Sequence, residues 1–174
     1  MGESFNSNIE TDYTIVNEGD ITIYRFKTNS GSEYDLEFIL SYINCDTKVG
    51  KGVLGGYISN NEKINIINKC FTPVIDVAFV PSEINISDRN NQELYTKETN
   101  RGEHVELMGR ISYLIKEFIK LNNDISVYVI GKDTKNVKLN IYKNIFNNLF
   151  SDTYMTMDGD NTGYDNGCYY FIKK

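Results

Sequence analysis

Apolar and polar residues alternate through much of the first half of the chain, and apolar residues recur at helical spacing in the second. In ITIYRFKT (21–28), Ile21 and Ile23, with Arg25, share one face under the two-residue period of a strand. SEYDLEFILSYI (32–43) puts Tyr34, Leu36, Phe38 and Leu40 on one face and turns Asp35 and Glu37 the other way, which predicts a second strand. The glycine-rich VGKGVLGGYIS and the alternation through Ile64 and Ile66 predict a loop with one or two strands of a hairpin or meander. PVIDVAFVP (73–81) is a nearly continuous apolar run between the chain's two prolines, the mark of a buried central strand.

Further on, Leu107, Ile111, Leu114, Ile115 and Phe118 recur at i, i+4, i+7, i+8 and i+11, which predicts an amphipathic helix over 103–121. The β-branched DISVYVI (124–130) follows through a short link, so a β-α-β unit with a parallel strand is expected. A second helix is predicted over 135–149, with Val137, Ile141, Ile145 and Leu149 on one stripe, and DTYMTM with CYYFIKK predicts a closing antiparallel pair. Residues 1–12 are polar and read as an N-terminal arm, mobile alone or ordered against a partner. Residues 13–174 read as one domain, carrying a polar loop over 81–100 that is longer than loops in compact domains normally run.

Composition narrows the partners. A chain of 174 residues suffices for one domain with a proper core, and its net charge of −6 argues against a basic, phosphate-seeking surface. No basic-then-apolar leader opens the sequence, and no apolar run approaches the roughly 18 residues that span a bilayer. Met1-Gly2 lacks the Ser or Thr that myristoylation wants at position 6, where Asn6 stands. The expectation is a soluble protein, intracellular when made, with neither nucleic-acid nor membrane binding. Cys45, Cys70 and Cys168 are odd in number and widely spaced, which predicts free thiols and neither a disulfide framework nor a zinc site.

The order of an antiparallel meander, a central strand, a helix opening on NRGEHVEL, a parallel strand, a shorter helix with KLNIYKNIF and a final strand pair resembles the GNAT acetyltransferase superfamily. The likeness lies mainly in residues 74–174 and is similar in particular to small GNAT-like proteins of tailed bacteriophages. It implies an α+β or α/β fold with a mixed, mostly antiparallel central sheet and two main helices. In the enzymes, a Q/R-x-x-G-x-G/A loop before the long helix lets backbone N–H groups approach pyrophosphate. The resemblance places Arg101, Gly102 and His104 in that coenzyme A loop, and Tyr142 at the tyrosine that protonates the departing thiolate. Here His104 and Glu106 stand at the two positions that demand small residues, Glu103 and Glu106 add carboxylates, and Lys135, Lys138 and Phe146 depart from the pattern of the other helix.

Two readings of the helix mouth follow. One is an ordinary acidic helix start with Asn100 or Thr99 as N-cap, Glu103 and Glu106 favoured by the dipole, and His104 a helix-start histidine without a partner acid. The other is a degenerate coenzyme loop, with Tyr142 as general acid rather than a packing residue and Glu83 or Glu98 as a candidate base. DGDNTGYDNG (158–167) opens like a calcium loop, but Tyr169 holds the twelfth position where a bidentate glutamate belongs, so a hairpin turn and no metal is expected. Together these predict a non-catalytic GNAT-like structural or interaction protein of a tailed phage, without a cofactor. Its expected partners are other phage proteins or copies of itself, and its expected place is the host cytoplasm when made and the virion or tail afterwards. The alternative is an N-acetyltransferase using acetyl-coenzyme A.

Overall fold

The structure is a computed structural model that describes residues 9–44, 71–83, 103–131, 144–145, 147–148, 152–159 and 168–174. Along the chain these form β1 (Tyr13–Glu18), β2 (Ile21–Lys27), β3 (Glu33–Asn44), β4 (Phe71–Pro81), α1 (His104–Leu121), β5 (Val127–Gly131), β6 (Tyr154–Gly159) and β7 (Cys168–Lys173). The strands make a mixed, mostly antiparallel seven-stranded sheet in the order β1-β2-β3-β4-β5-β7-β6, so the class is α+β. Asn144, Ile145, Asn147 and Asn148 are helical, inside the span expected as a second helix; the rest of that span lies outside the described residues. So do the hairpin expected within 45–69, the loop beyond Glu83, and the calcium-like loop beyond Gly159.

The chain divides into two compact units, Met1–Ile39 with Val77–Asn122 and Leu40–Asp76 with Asn123–Lys174. In the first, β1 adds a strand ahead of Ile21, where the sequence reading began the sheet. Its Glu18 faces Ile21 across the two-residue turn Gly19-Asp20, and Gly19 takes φ 59°, a left-handed conformation that costs a residue without Cβ little. β2 pairs antiparallel with β3 from Ile21↔Ile39 to Lys27↔Glu33. At the start of β3, Ser82 donates its backbone N–H to the Glu33 carbonyl at 3.0 Å, tying in the end of β4.

Tyr34, Leu36 and Phe38 are buried as their shared face predicts, and so are Leu107, Ile111, Leu114, Ile115 and Phe118 of α1. Ring contacts join helix to sheet: Phe38 stacks on Phe118 at 3.7 Å between centroids, and Tyr24 meets both edge-on. Each such side chain withdrawn from water contributes about 1.5–3 kcal/mol. Alternation in β2 does not sort core from solvent, because Ile23 on one face is as buried as Tyr24 and Phe26 on the other. Asp35 and Glu37 do turn away from Tyr34, Leu36 and Phe38, yet both are wholly buried.

In the second unit, Val74, Ile75 and Asp76 of β4 pair parallel with Val127, Tyr128 and Val129 of β5, as the β-α-β expectation requires. β7 lies antiparallel between β5 and β6, with Val129↔Tyr170 on one side and Tyr154↔Lys173 on the other. Buried Val127, Tyr128, Ile130, Tyr154, Phe171 and Ile172 form its core. Tyr128 and Tyr154 meet edge to face at 5.8 Å.

Candidate functional site at the helix mouth

The helix that was expected to open on a coenzyme loop begins at His104, with Glu103 at the N-cap position and no side-chain cap hydrogen bond. This corrects the capping expectation: the cap position falls three residues after Asn100, and Thr99 and Asn100 lie outside the described residues. Arg101, Gly102 and Tyr142 also lie outside them, and of His104 only the backbone is described, as the first residue of α1.

What the helix mouth does contain is a set of polar contacts to the β2–β3 turn. Glu106, in the first turn, receives the backbone N–H of Asn29 at 2.7 Å and Nε of Arg110 at 2.8 Å on the same carboxylate oxygen. Arg110 also donates to Oδ1 of Asn29 at 3.0 Å and to Oγ1 of Thr11 at 3.4 Å. Thr11 is buried and donates to the Ile9 carbonyl at 2.7 Å, so the residues just ahead of β1 are drawn into the same cluster. Glu103 accepts longer bonds from Ser32 Oγ at 3.4 Å and the Tyr34 hydroxyl at 3.5 Å.

The chemistry of this arrangement is that of a helix supplied with its own anions. An N-terminus carries partial positive charge and unpaired N–H groups, and an acidic side chain in the first turn stabilises it. Both glutamates are placed for that role, and both are engaged with the turn at residues 28–32. A phosphate brought within about 4 Å of either carboxylate would meet repulsion of about 1–4 kcal/mol.

One further group has chemistry that residue patterns passed over. Asp76 ends the parallel register of β4 with β5, opposite Val129, between buried Ile75 and Val77. Burial pushes its carboxyl up to about 7. A group titrating there is poised to take or release a proton near neutrality. The signal was present in PVIDVAFVP, where Asp76 is the one charged residue in an apolar run. Of the two bases considered from sequence, Glu83 is exposed beyond the end of β4, and Glu98 lies outside the described residues.

A different carboxylate is held purely by structure. Asp35 receives Nε and Nη2 of Arg25 at 2.8 and 2.9 Å, a two-pronged pair directly across the β2–β3 register. Among the described residues, no group of three or more His, Cys, Asp or Glu side chains is arranged to hold a metal, and no helix is long and apolar enough to cross a membrane. No family model matches the chain, and neither a curated protein nor a solved structure matches it.

Proposed function

We propose that the chain is a non-catalytic GNAT-like domain serving as a structural or interaction protein of a tailed phage, in the virion or its tail. The observation that carries the non-catalytic reading is the Glu106 carboxylate, shared between the Asn29 N–H and Arg110, which supplies the helix mouth with negative charge from the chain itself. The GNAT likeness draws support from the element order: an antiparallel meander, a central strand, the helix, one parallel partner and a closing antiparallel pair. Calorimetry with acetyl-coenzyme A is expected to give no binding heat. Micromolar binding that disappears in Arg101→Ala would sink the reading. Mass spectrometry of purified particles is expected to find many copies of the chain per particle, and its absence from them would remove the virion role.

Asp76 favours a second reading, an acetyl-coenzyme A-dependent N-acetyltransferase. In that reaction the acceptor amine would attack the thioester carbonyl carbon and displace the thiolate, with Asp76 available to take the proton from nitrogen and Tyr142 to supply one to the thiolate. Arg101 and Gly102 would hold the pyrophosphate. Its mark is amine-dependent release of free thiol that falls in both Asp76→Asn and Tyr142→Phe.

A further inference from the structure

We propose that the outer edge of β1 is a docking strand that takes an extended, lysine- or arginine-bearing segment of a partner protein. β1 pairs with β2 along all six of its residues, without a bulge, and it stands at the end of the strand order among the described residues. A strand paired on one side presents its remaining N–H and C=O groups outward, which is a template for another strand. The usual defences of such an edge are charged side chains, lysine above all, proline or a bulge. YTIVNE has no lysine, proline or bulge, its one charge is Glu18 at the last position, and Thr14, Ile15 and Asn17 are exposed, Ile15 by 51%.

Charge selects the occupant. From Ile9 to Asp20 there is no Lys or Arg, while Glu10 and Asp12 precede the strand and Glu18 and Asp20 close it. A second copy is therefore a poor occupant. Two β1 edges paired antiparallel would bring Glu10 and Asp12 of one against Glu18 and Asp20 of the other at both ends, and like charges opposed across strands destabilise. A basic strand in the same place sets its cations against those carboxylates.

The helix-facing side of the edge adds a place for one cation. Tyr13 stacks on Tyr24 at 4.6 Å, and both Tyr13 and Tyr113 are part-exposed. Desolvation, then Glu117, Glu10, Tyr13 and Asp12, raise the Tyr113 phenol, so these groups share one negative field. Burial, then Tyr13 and Glu117, push Tyr24 up to about 12. A lysine or arginine reaching this spot meets phenol faces and carboxylates together.

The inference rests on the interaction reading, and the two fail separately: coenzyme binding overturns that reading, whereas peptide binding tests only the edge. The probe is a labelled peptide of alternating Lys and Val, followed by fluorescence anisotropy against the full chain. Micromolar binding is expected, with slowed amide exchange in β1. It should weaken by about tenfold or more in the combined E10Q/D12N/E18Q/D20N variant, whose fold is checked by circular dichroism. A peptide of equal charge with proline at alternate positions, and a Glu-Val peptide, are both expected to bind at least about tenfold more weakly. No binding of the Lys-Val peptide, equal binding of the proline peptide, or protection away from β1 would overturn the proposal and leave the carboxylates as guards against self-pairing.

Discussion

Glu106 and Arg110 face each other one helical turn apart at 2.8 Å, and the carboxylate oxygen that joins them also takes the backbone N–H of Asn29 at 2.7 Å. A single oxygen thus fixes the start of α1 to a turn that lies 77 residues earlier in the chain. The helix mouth is consequently a joint of the fold before it is anything else.

Removing that joint has a definite cost. Glu106→Ala removes the acceptor shared by the exposed Asn29 N–H and by Arg110, which keeps Asn29 Oδ1 and Thr11 Oγ1, and is expected to lower unfolding free energy by about 1–2 kcal/mol. Urea denaturation measures it, with exposed Lys116→Ala as the control expected to stay within about 0.5 kcal/mol. A change in Glu106→Ala no larger than the control's would mean the contact is idle.

Arg25 and Asp35 make a sharper case, because the Asp35 side chain is fully buried while that of Arg25 remains 35% exposed. Arg25→Ala takes the two-pronged partner away from a buried carboxylate and is expected to cost about 1–3 kcal/mol. Arg25→Lys should recover only part of this, since an ammonium cannot repeat the two-pronged geometry. Full recovery by lysine in thermal unfolding would show that charge alone suffices.

Asp76 gives stability an unusual pH slope. Its folded value, about 7, lies above the ordinary 3.8, so the folded state holds the proton more tightly than the unfolded state. Stability contributed by this residue is present below pH 3.8 and falls as pH rises toward 7, by up to about 4 kcal/mol at about 1.36 kcal/mol per pH unit. Other carboxylates titrate over the same interval, so the comparison is with Asp76→Asn. The variant's advantage over the parent should grow from pH 4 to pH 7 and then level off; a constant difference would rule out the raised carboxyl.

The Phe38–Phe118 stack anchors α1, with ring planes 5° apart and both residues nearly fully buried. Phe118→Ala is expected to cost about 3–5 kcal/mol through lost burial and the cavity left behind. Phe118→Leu, which keeps most of the volume, should cost clearly less by chemical denaturation.

Local pattern carried a good part of the fold because burial on one face writes itself into periodicity. Tyr34, Leu36 and Phe38, the α1 stripe from Leu107 to Phe118, and the run Val74 to Val80 were all legible as core. β1 is not legible in this way although YTIVNE runs into the turn residues Gly19-Asp20, since an edge strand with exposed Ile15 shows little alternation. At the helix mouth, the acidic residues were legible as dipole partners but their targets were not. Ser32 and Tyr34 lie 71 and 69 residues from Glu103, and no local rule spans such separations.

By itself, then, the sequence determined the strands from β2 onward and α1, and the apolar faces of β3 and α1. Tertiary structure alone decided that Asp35 is buried against Arg25, that Asp76 lies opposite Val129 with its carboxyl raised to about 7, and that Glu106 joins helix to turn. The physical reason is range. Periodicity arises from the geometry of neighbouring residues, whereas desolvation and ion pairing depend on what other segments bring alongside a charge.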